Sequence, residues 1–158
     1  MEGKYPRDSY TEQVQILSQS ALNGYNRLFG GRLMQWIDVV AAVAARRHSG
    51  RNVTTAAVDN LRFAGPAYAN ETLVLCAVVT YTGRTSMEVR VNTYVEELSG
   101  HKRLINVAYL VMVALDGEER PTPVPPLLPV TEEEQREWEA GKERTRLRKE
   151  RRAQCPGK

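Results

Sequence analysis

Residues 30–47 read GGRLMQWIDVVAAVAARR, and between Leu33 and Ala45 only Gln35 and Asp38 are polar. No proline or glycine interrupts Arg32 to Arg47. Gly30-Gly31 stand ahead of that run and Ser49-Gly50 behind it, so the spacing predicts one helix. A helix that is apolar on nearly every side has to be covered on most of them. Five segments with strand character are available to cover it: Tyr10 to Ser18, Val53 to Phe63, Thr72 to Thr82, Thr85 to Leu98 and Lys102 to Leu115. The last three are joined by the short connections Gly83-Arg84 and Ser99-Gly100, which favour antiparallel hairpins. In the fourth, Met87, Val89, Val91 and Val95 alternate with Glu88, Arg90, Asn92 and Glu96, the period of a half-buried strand. The expected fold is α+β, one long central helix wrapped by a curved antiparallel sheet of about five strands.

Beyond the last strand, residues 121–129 hold five prolines, a stiff extended segment expected to end the domain at about residue 130. Thr131 with Glu134 then forms a capping box opening a charged helical tail over 131–158. Glu139 with Glu143 and Arg144 with Arg148 have the spacing of a solvated face, and Trp138 is the candidate anchor to the body.

The chain of 158 residues, 42% hydrophobic and 26% charged, suits one domain with a core. No stretch reaches the length of a membrane span. The start, MEGKYPRDSY, lacks the apolar core of a secretory signal, and Cys76 and Cys155 do not suggest a disulfide framework. A reducing, cytoplasmic setting is expected. The net charge of +3 leaves the body nearly neutral, with the basic excess in Lys142 to Arg152. No nucleic-acid partner is expected of the body.

Asp38 is the first candidate for chemistry. An ionised carboxylate in an apolar helix costs several kcal/mol unless it is paired or solvated. It therefore marks either a structural partner, such as a loop amide or an arginine, or a wet functional cleft. Gly30 and Gly31 at the helix start leave backbone N–H groups open to a ligand, where the positive end of the dipole could polarise a carbonyl oxygen. Gly83, Arg84, Thr85 and Ser86 offer a turn amide, a guanidinium and two hydroxyls, a set that suits a phosphate and equally suits an ordinary hairpin turn. Arg62 is a further phosphate candidate. His48, at the helix end, is placed where a cation complements the dipole, and His101 sits beside a hairpin glycine. Neither has a metal-ligand neighbour, no metal site is expected, and no G-x-S-x-G elbow marks a serine hydrolase.

The stretch N-x-x-x-x-x-x-G-G-x-L-M-x-W-I-D, Asn23 to Asp38, resembles the signature of the hotdog-fold acyl-CoA thioesterases, in particular the cytosolic long-chain and broad-range bacterial acyl-CoA hydrolases. The likeness continues through Val53-Thr54, Val58-Asp59, Phe63 with Pro66, G-R-T-S-M-E-V at 83–89, Val113 to Gly117 and Pro123 to Pro125. It implies hydrolysis of acyl-CoA to a carboxylic acid and CoA, with Asp38 as general base or nucleophile and Asn23 as its partner. It also favours the CoA phosphates for the 83–86 turn and requires no cofactor. Asn26 stands where the family usually has glycine, and Ala69-Asn70-Glu71 replaces a usual Gly-Asp turn. Asparagine tolerates positive φ, so the first turn can survive.

Gly30 and Asp38 on one helix lie roughly 12 Å apart along its axis. One chain's aspartate therefore falls short of a carbon held at its own glycine amides. A second copy supplying the other half makes a homo-oligomer the expectation, a dimer at least and a trimer of dimers plausible, which would also cover the sheet's edges. Two rival readings are a non-catalytic acyl-CoA sensor, in which Asp38 is dispensable, and a hydratase or dehydratase, which would want a histidine near the helix start.

Overall fold

In the computed structural model, which describes residues 1–155, the apolar run forms α2 over Gly30–Ser49. It is two residues longer at each end than expected. Gly30 and Gly31 belong to its first turn, where a residue needs no intrahelical acceptor for its N–H and glycine costs little. The helix ends on Gly50, whose left-handed φ of 66° lets its N–H bond the Arg46 carbonyl at 2.8 Å.

A short helix α1, Pro6–Ser9, precedes strand β1, Thr11–Ile16. After α2 come β2 (Asn52–Phe63), β3 (Thr72–Thr82), β4 (Ser86–Glu96) and β5 (Lys102–Leu115). They form one antiparallel sheet in the order β1-β3-β4-β5-β2. Leu33, Ile37, Val40, Ala41, Ala44 and Ala45 turn one face of α2 onto Leu73, Leu75, Val89, Val91, Leu110 and Met112 of the sheet. Removing a side chain such as Leu33 or Ile37 would cost about 2–5 kcal/mol. This is the hotdog architecture, a helix lying along a sheet that curves around it.

The opposite face of α2 is open in the single chain. Met34 and Val39 are 42% and 53% exposed, so the helix is covered less fully than its apolar sequence requires. The uncovered stripe lies beside β2, an edge strand of twelve residues on which Val58 and Phe63 are also exposed. Two register shifts interrupt β2 against β5, one between Thr55 and Ala57 and one between Asp59 and Arg62.

The proline-rich segment packs back onto the body. Val124, Pro125 and Leu127 are buried, and the Leu127 N–H donates to Thr82 Oγ1 at 3.0 Å. His48 is also buried and meets the Pro125 carbonyl at 2.8 Å through Nε2. Burial lowers its pKa below the usual imidazole value, which corrects the reading of His48 as a cation at the helix end.

The tail forms α3, Glu132–Gln154, with both halves of the Thr131/Glu134 capping box made. Trp138 anchors it on Tyr81, ring centroids 5.4 Å apart. Its Arg144 and Arg148 do not lie on a solvated face. Both turn onto the outer surface of the sheet and pair with Glu88, itself only 2% exposed. Glu88 alternates with the core residues of β4 as expected, but its side of the sheet is covered by α3.

Candidate active site

Asp38 lies on the third turn of α2, on the open stripe between Met34 and Val39. Its Oδ1 accepts the Thr55 hydroxyl at 2.5 Å, the length of a charge-assisted bond to a carboxylate. Thr55 is the last residue of β2 before the first register shift, and its Oγ1 also lies 3.4 Å from Met112 Sδ in the core. The strand thus fixes one carboxylate oxygen, and among the described residues nothing bonds the other. Thr55 escaped the sequence reading because V-T-T-A-A-V reads as ordinary strand composition. Its one signal was the cost of a carboxylate in an apolar helix, which pointed to either a partner or a wet cleft and named no residue of another element.

Asn23 sits in the loop leading into α2, closed by a bridge between Leu22 and Leu28 and by Phe29 N–H bonding to the Ala21 carbonyl at 2.9 Å. Its Oδ1 accepts the Tyr25 and Arg27 N–H groups at 2.9 and 3.3 Å, so Nδ2 is the group left to meet a ligand. Asn26 takes φ 56° in this loop and Asn70 takes φ 67°, so at both departures from the family pattern an asparagine adopts the left-handed backbone. The start of α2 has no side-chain cap. Gly31 faces the Phe29 ring so closely that a Cβ there would lie 2.7 Å from it, and the Phe63 ring lies next to Gly30.

The candidate residues therefore fall into two groups. Asn23, Gly30, Gly31 and Arg62 gather at the end of the sheet where β2 finishes. Gly83, Arg84, Thr85 and Ser86 form the β3–β4 turn at the other end, where β2 begins. Ser86 registers with Val113, and Val113 with Thr54, eight residues from Arg62. At about 3.3 Å per residue the two ends are roughly 26 Å apart, so Arg62 and Arg84 of one chain cannot hold the same phosphate. Asp38 and Thr55 lie toward the Arg84 end. Among the described residues no hydrogen bond joins Asn23 to Asp38. Arg84 is exposed, and the turn is held by its backbone, with Gly83 N–H on the Ser86 carbonyl and Ala114 N–H on that of Thr85.

A cavity of about 450 Å³ lies elsewhere, on the outer face of the sheet beside the start of α3, lined by Tyr10, Cys76, Asn92 and Tyr94 among others. It is separate from Asp38. Among the described residues no cluster of histidine, cysteine and carboxylate side chains could hold a metal ion. No helix among them is long and apolar enough to cross a membrane.

An open helix start with glycine amides could polarise a carbonyl oxygen, and the hydrogen-bonded carboxylate two turns further along the helix could activate water, the pairing of groups found in a hydrolase. Comparison with known proteins gives the family. Residues 25–99 match the family model described as the thioesterase superfamily. The uncharacterized acyl-CoA thioester hydrolase YkhA of Bacillus subtilis is 39% identical over 135 residues, covering 82% of this chain and 78% of that protein. Mammalian relatives are longer, and the chain spans 24% of mouse acyl-coenzyme A thioesterase 11, at 32% identity over 89% of its own length. Among solved structures, the acyl-CoA hydrolase of Staphylococcus aureus, in complex with butyryl coenzyme A, coenzyme A and coenzyme A disulfide, superposes with a TM-score of 0.90 at 32% identity. That match covers 96% of this chain and 93% of the other. The chain belongs to the thioesterase superfamily.

The S. aureus hydrolase has also been solved as alanine variants at an asparagine, an aspartate and a threonine. The separations between those three positions, fifteen and seventeen residues, are the separations of Asn23, Asp38 and Thr55 here.

Proposed function

We propose that this chain hydrolyses acyl-CoA to a carboxylic acid and free CoA at sites built by two copies of itself. The observation that carries the reading is the Thr55–Asp38 hydrogen bond on the open stripe of α2, which orients an exposed carboxylate whose other oxygen has no hydrogen-bond partner among the described residues. Asp38 takes a proton from water as the water oxygen attacks the thioester carbon. The C=O electrons move to oxygen, and the oxyanion is met by the Gly30 or Gly31 N–H at the helix start. Collapse of the tetrahedral intermediate breaks the C–S bond, and the leaving sulfur takes from Asp38 the proton that Asp38 drew from water. Asn23, donating through Nδ2, holds the water or the carbonyl oxygen. Direct attack by Asp38, through an anhydride, uses the same residues. No cofactor enters either route.

Two copies pairing antiparallel along β2 account for the division of the candidates. The end of β2 in one copy, with Gly30, Asn23 and Arg62, comes beside the beginning of β2 in the other, with Thr55, Asp38 and Arg84. The exposed Val58, Phe63, Met34 and Val39 are then covered, as an edge strand and an apolar helix stripe require. The bound state of the S. aureus relative supports CoA as the leaving group, and a solved apo-hexameric acyl-CoA thioesterase, 36% identical with a TM-score of 0.92, supports three such dimers in one particle. A cytosolic acyl coenzyme A thioester hydrolase among the relatives supports a cytoplasmic setting.

The test is thiol release from acetyl- to stearoyl-CoA by the wild type and by Asp38→Asn. Release by the wild type and a fall in kcat of at least about a hundredfold in the variant are expected. CoA binding without turnover would make the protein a sensor instead, and full turnover by the variant would remove Asp38 from the chemistry.

A further inference from the structure

The outer face of the sheet carries an ion lattice that the reaction as described does not use. Arg144 grips Glu88 with two bonds, Nε to Oε2 at 3.0 Å and Nη2 to Oε1 at 2.8 Å, and reaches Glu137 at 2.6 Å. Glu137 also accepts Arg90 at 2.9 Å and the Tyr109 hydroxyl at 3.0 Å. Arg148 completes the set, with Nη1 at 3.0 Å from Asp59 Oδ2 and 3.3 Å from Glu88 Oε2. Three arginines face three carboxylates at 3.3 Å or less, and Arg151 approaches Asp59 at 3.9 Å. Burying it against the sheet costs desolvation that a plain apolar contact would avoid. Its partners are therefore informative.

Glu88 is on β4 and Asp59 on β2, with β5 between them, since Asp59 registers with Tyr109 and Tyr109 with Arg90. Arg148 is the residue of α3 that ties the edge strand to the middle of the sheet at less than 3.5 Å. The place it grips is the weak part of that strand. Between the two register shifts only Ala57, Val58 and Asp59 pair with β5, and the next residue, Asn60, has φ 51°. Thr55 stands immediately before the first shift, and its hydroxyl orients Asp38. The bulges leave the ladder to β5 locally broken, so this part of β2 is held less firmly on that side whatever pairs with its outer edge. A displacement of a few tenths of an ångström there would lengthen the Thr55–Asp38 bond.

We infer that Arg148 is a positioning residue: by clamping Asp59 to Glu88 it holds the bulged part of β2 and, through it, the Thr55 hydroxyl on Asp38. The inference rests on the hydrolase reading for its kinetic consequence and on the fold alone for its mechanical one. The C-terminal helix then supports the site from the outer face of the sheet, where Arg148 meets Asp59 and Glu88. Arg146, on the exposed side of the same helix and paired among the described residues with Glu143 and Glu150, is the natural control.

The experiment compares Arg148→Ala, Arg148→Lys and Arg146→Ala in the full chain, each also combined with Thr55→Val. Arg148→Ala is expected to lower kcat about tenfold with KM within about twofold, because what is lost is an orientation and not a CoA contact. Lysine should restore part of the loss, and Arg146→Ala should match the wild type. In the Thr55→Val background Arg148→Ala should add less than about a twofold loss, since its effect runs through the missing hydroxyl. Amide hydrogen exchange read by mass spectrometry provides a measure independent of turnover. Residues 52–63 should exchange faster in Arg148→Ala while β3 stays protected. Losses that multiply in the double variant, or unchanged exchange over 52–63, overturn the inference. Should the wild type release no thiol from any acyl-CoA, the hydrolase reading fails, and the exchange result by itself decides whether Arg148 holds the strand.

Discussion

Replacing Thr55 by valine removes one hydroxyl and keeps the branched shape that β2 accommodates. The hydrogen bond lost is the 2.5 Å contact to Asp38 Oδ1. Bonds to charged groups contribute about 1.5–3 kcal/mol. At about 1.4 kcal/mol per factor of ten, that range corresponds to roughly 12- to 150-fold in rate if the whole bond is felt in the transition state. The carboxylate keeps its charge and its place on α2, and water can replace part of the contact, so the lower half of the range, about 10- to 50-fold in kcat, is expected. Folding should be nearly unaffected, because both groups are exposed in the single chain and valine suits a strand. The assay is steady-state thiol release beside a thermal melt, with Thr55→Ser as the companion that retains the hydroxyl and most of the rate. A valine variant within twofold of the wild-type kcat, at equal stability, would refute the claim that Thr55 orients the carboxylate.

Arg84→Ala is expected to raise KM for acyl-CoA more than it lowers kcat, and to reduce the salt dependence of binding, since a phosphate contact is made equally in the ground and transition states; an unchanged KM and salt response would place the phosphates elsewhere. Stability should fall as the pH drops below 6.5. His48 has its pKa lowered by burial, so above 6.5 it is neutral in both states and no penalty exists. Below that value the unfolded chain binds a proton that the folded chain refuses until its own lower pKa is reached. Urea melts between pH 5.5 and 7.5 should show this slope in the wild type and a smaller one in His48→Gln.

The fold was legible because its two patterns are nearly uninterrupted. Thr72 to Thr82 and Lys102 to Leu115 were read with the ends the structure gives, and so was the Thr131 cap, because hairpin turns and a capping box are local devices. What escaped were facts about partners distant in sequence. Arg144 and Arg148 have the spacing of a surface stripe, and nothing local says that the stripe lands on Glu88 and Asp59, 56 and 89 residues away. His48 looked like a terminal cation because the strap that buries it begins more than seventy residues later. At the site, Asp38 announced itself by its cost in an apolar helix, and the glycines by their place at its start. Thr55 did not, since a threonine in a strand is unremarkable until the carboxylate it faces is known.

The central claim is that two copies complete each site, and co-expression of two inactive variants tests it. Asn23→Ala and Asp38→Ala should each be nearly inactive alone. If the residues meet across chains, a mixed dimer holds one site with both intact and one with neither. With random pairing about half the dimers are mixed, so activity near a quarter of the wild type should return. A mixture as inactive as its parents, with mixed dimers confirmed by native mass spectrometry, would place the whole site within one chain and contradict the account.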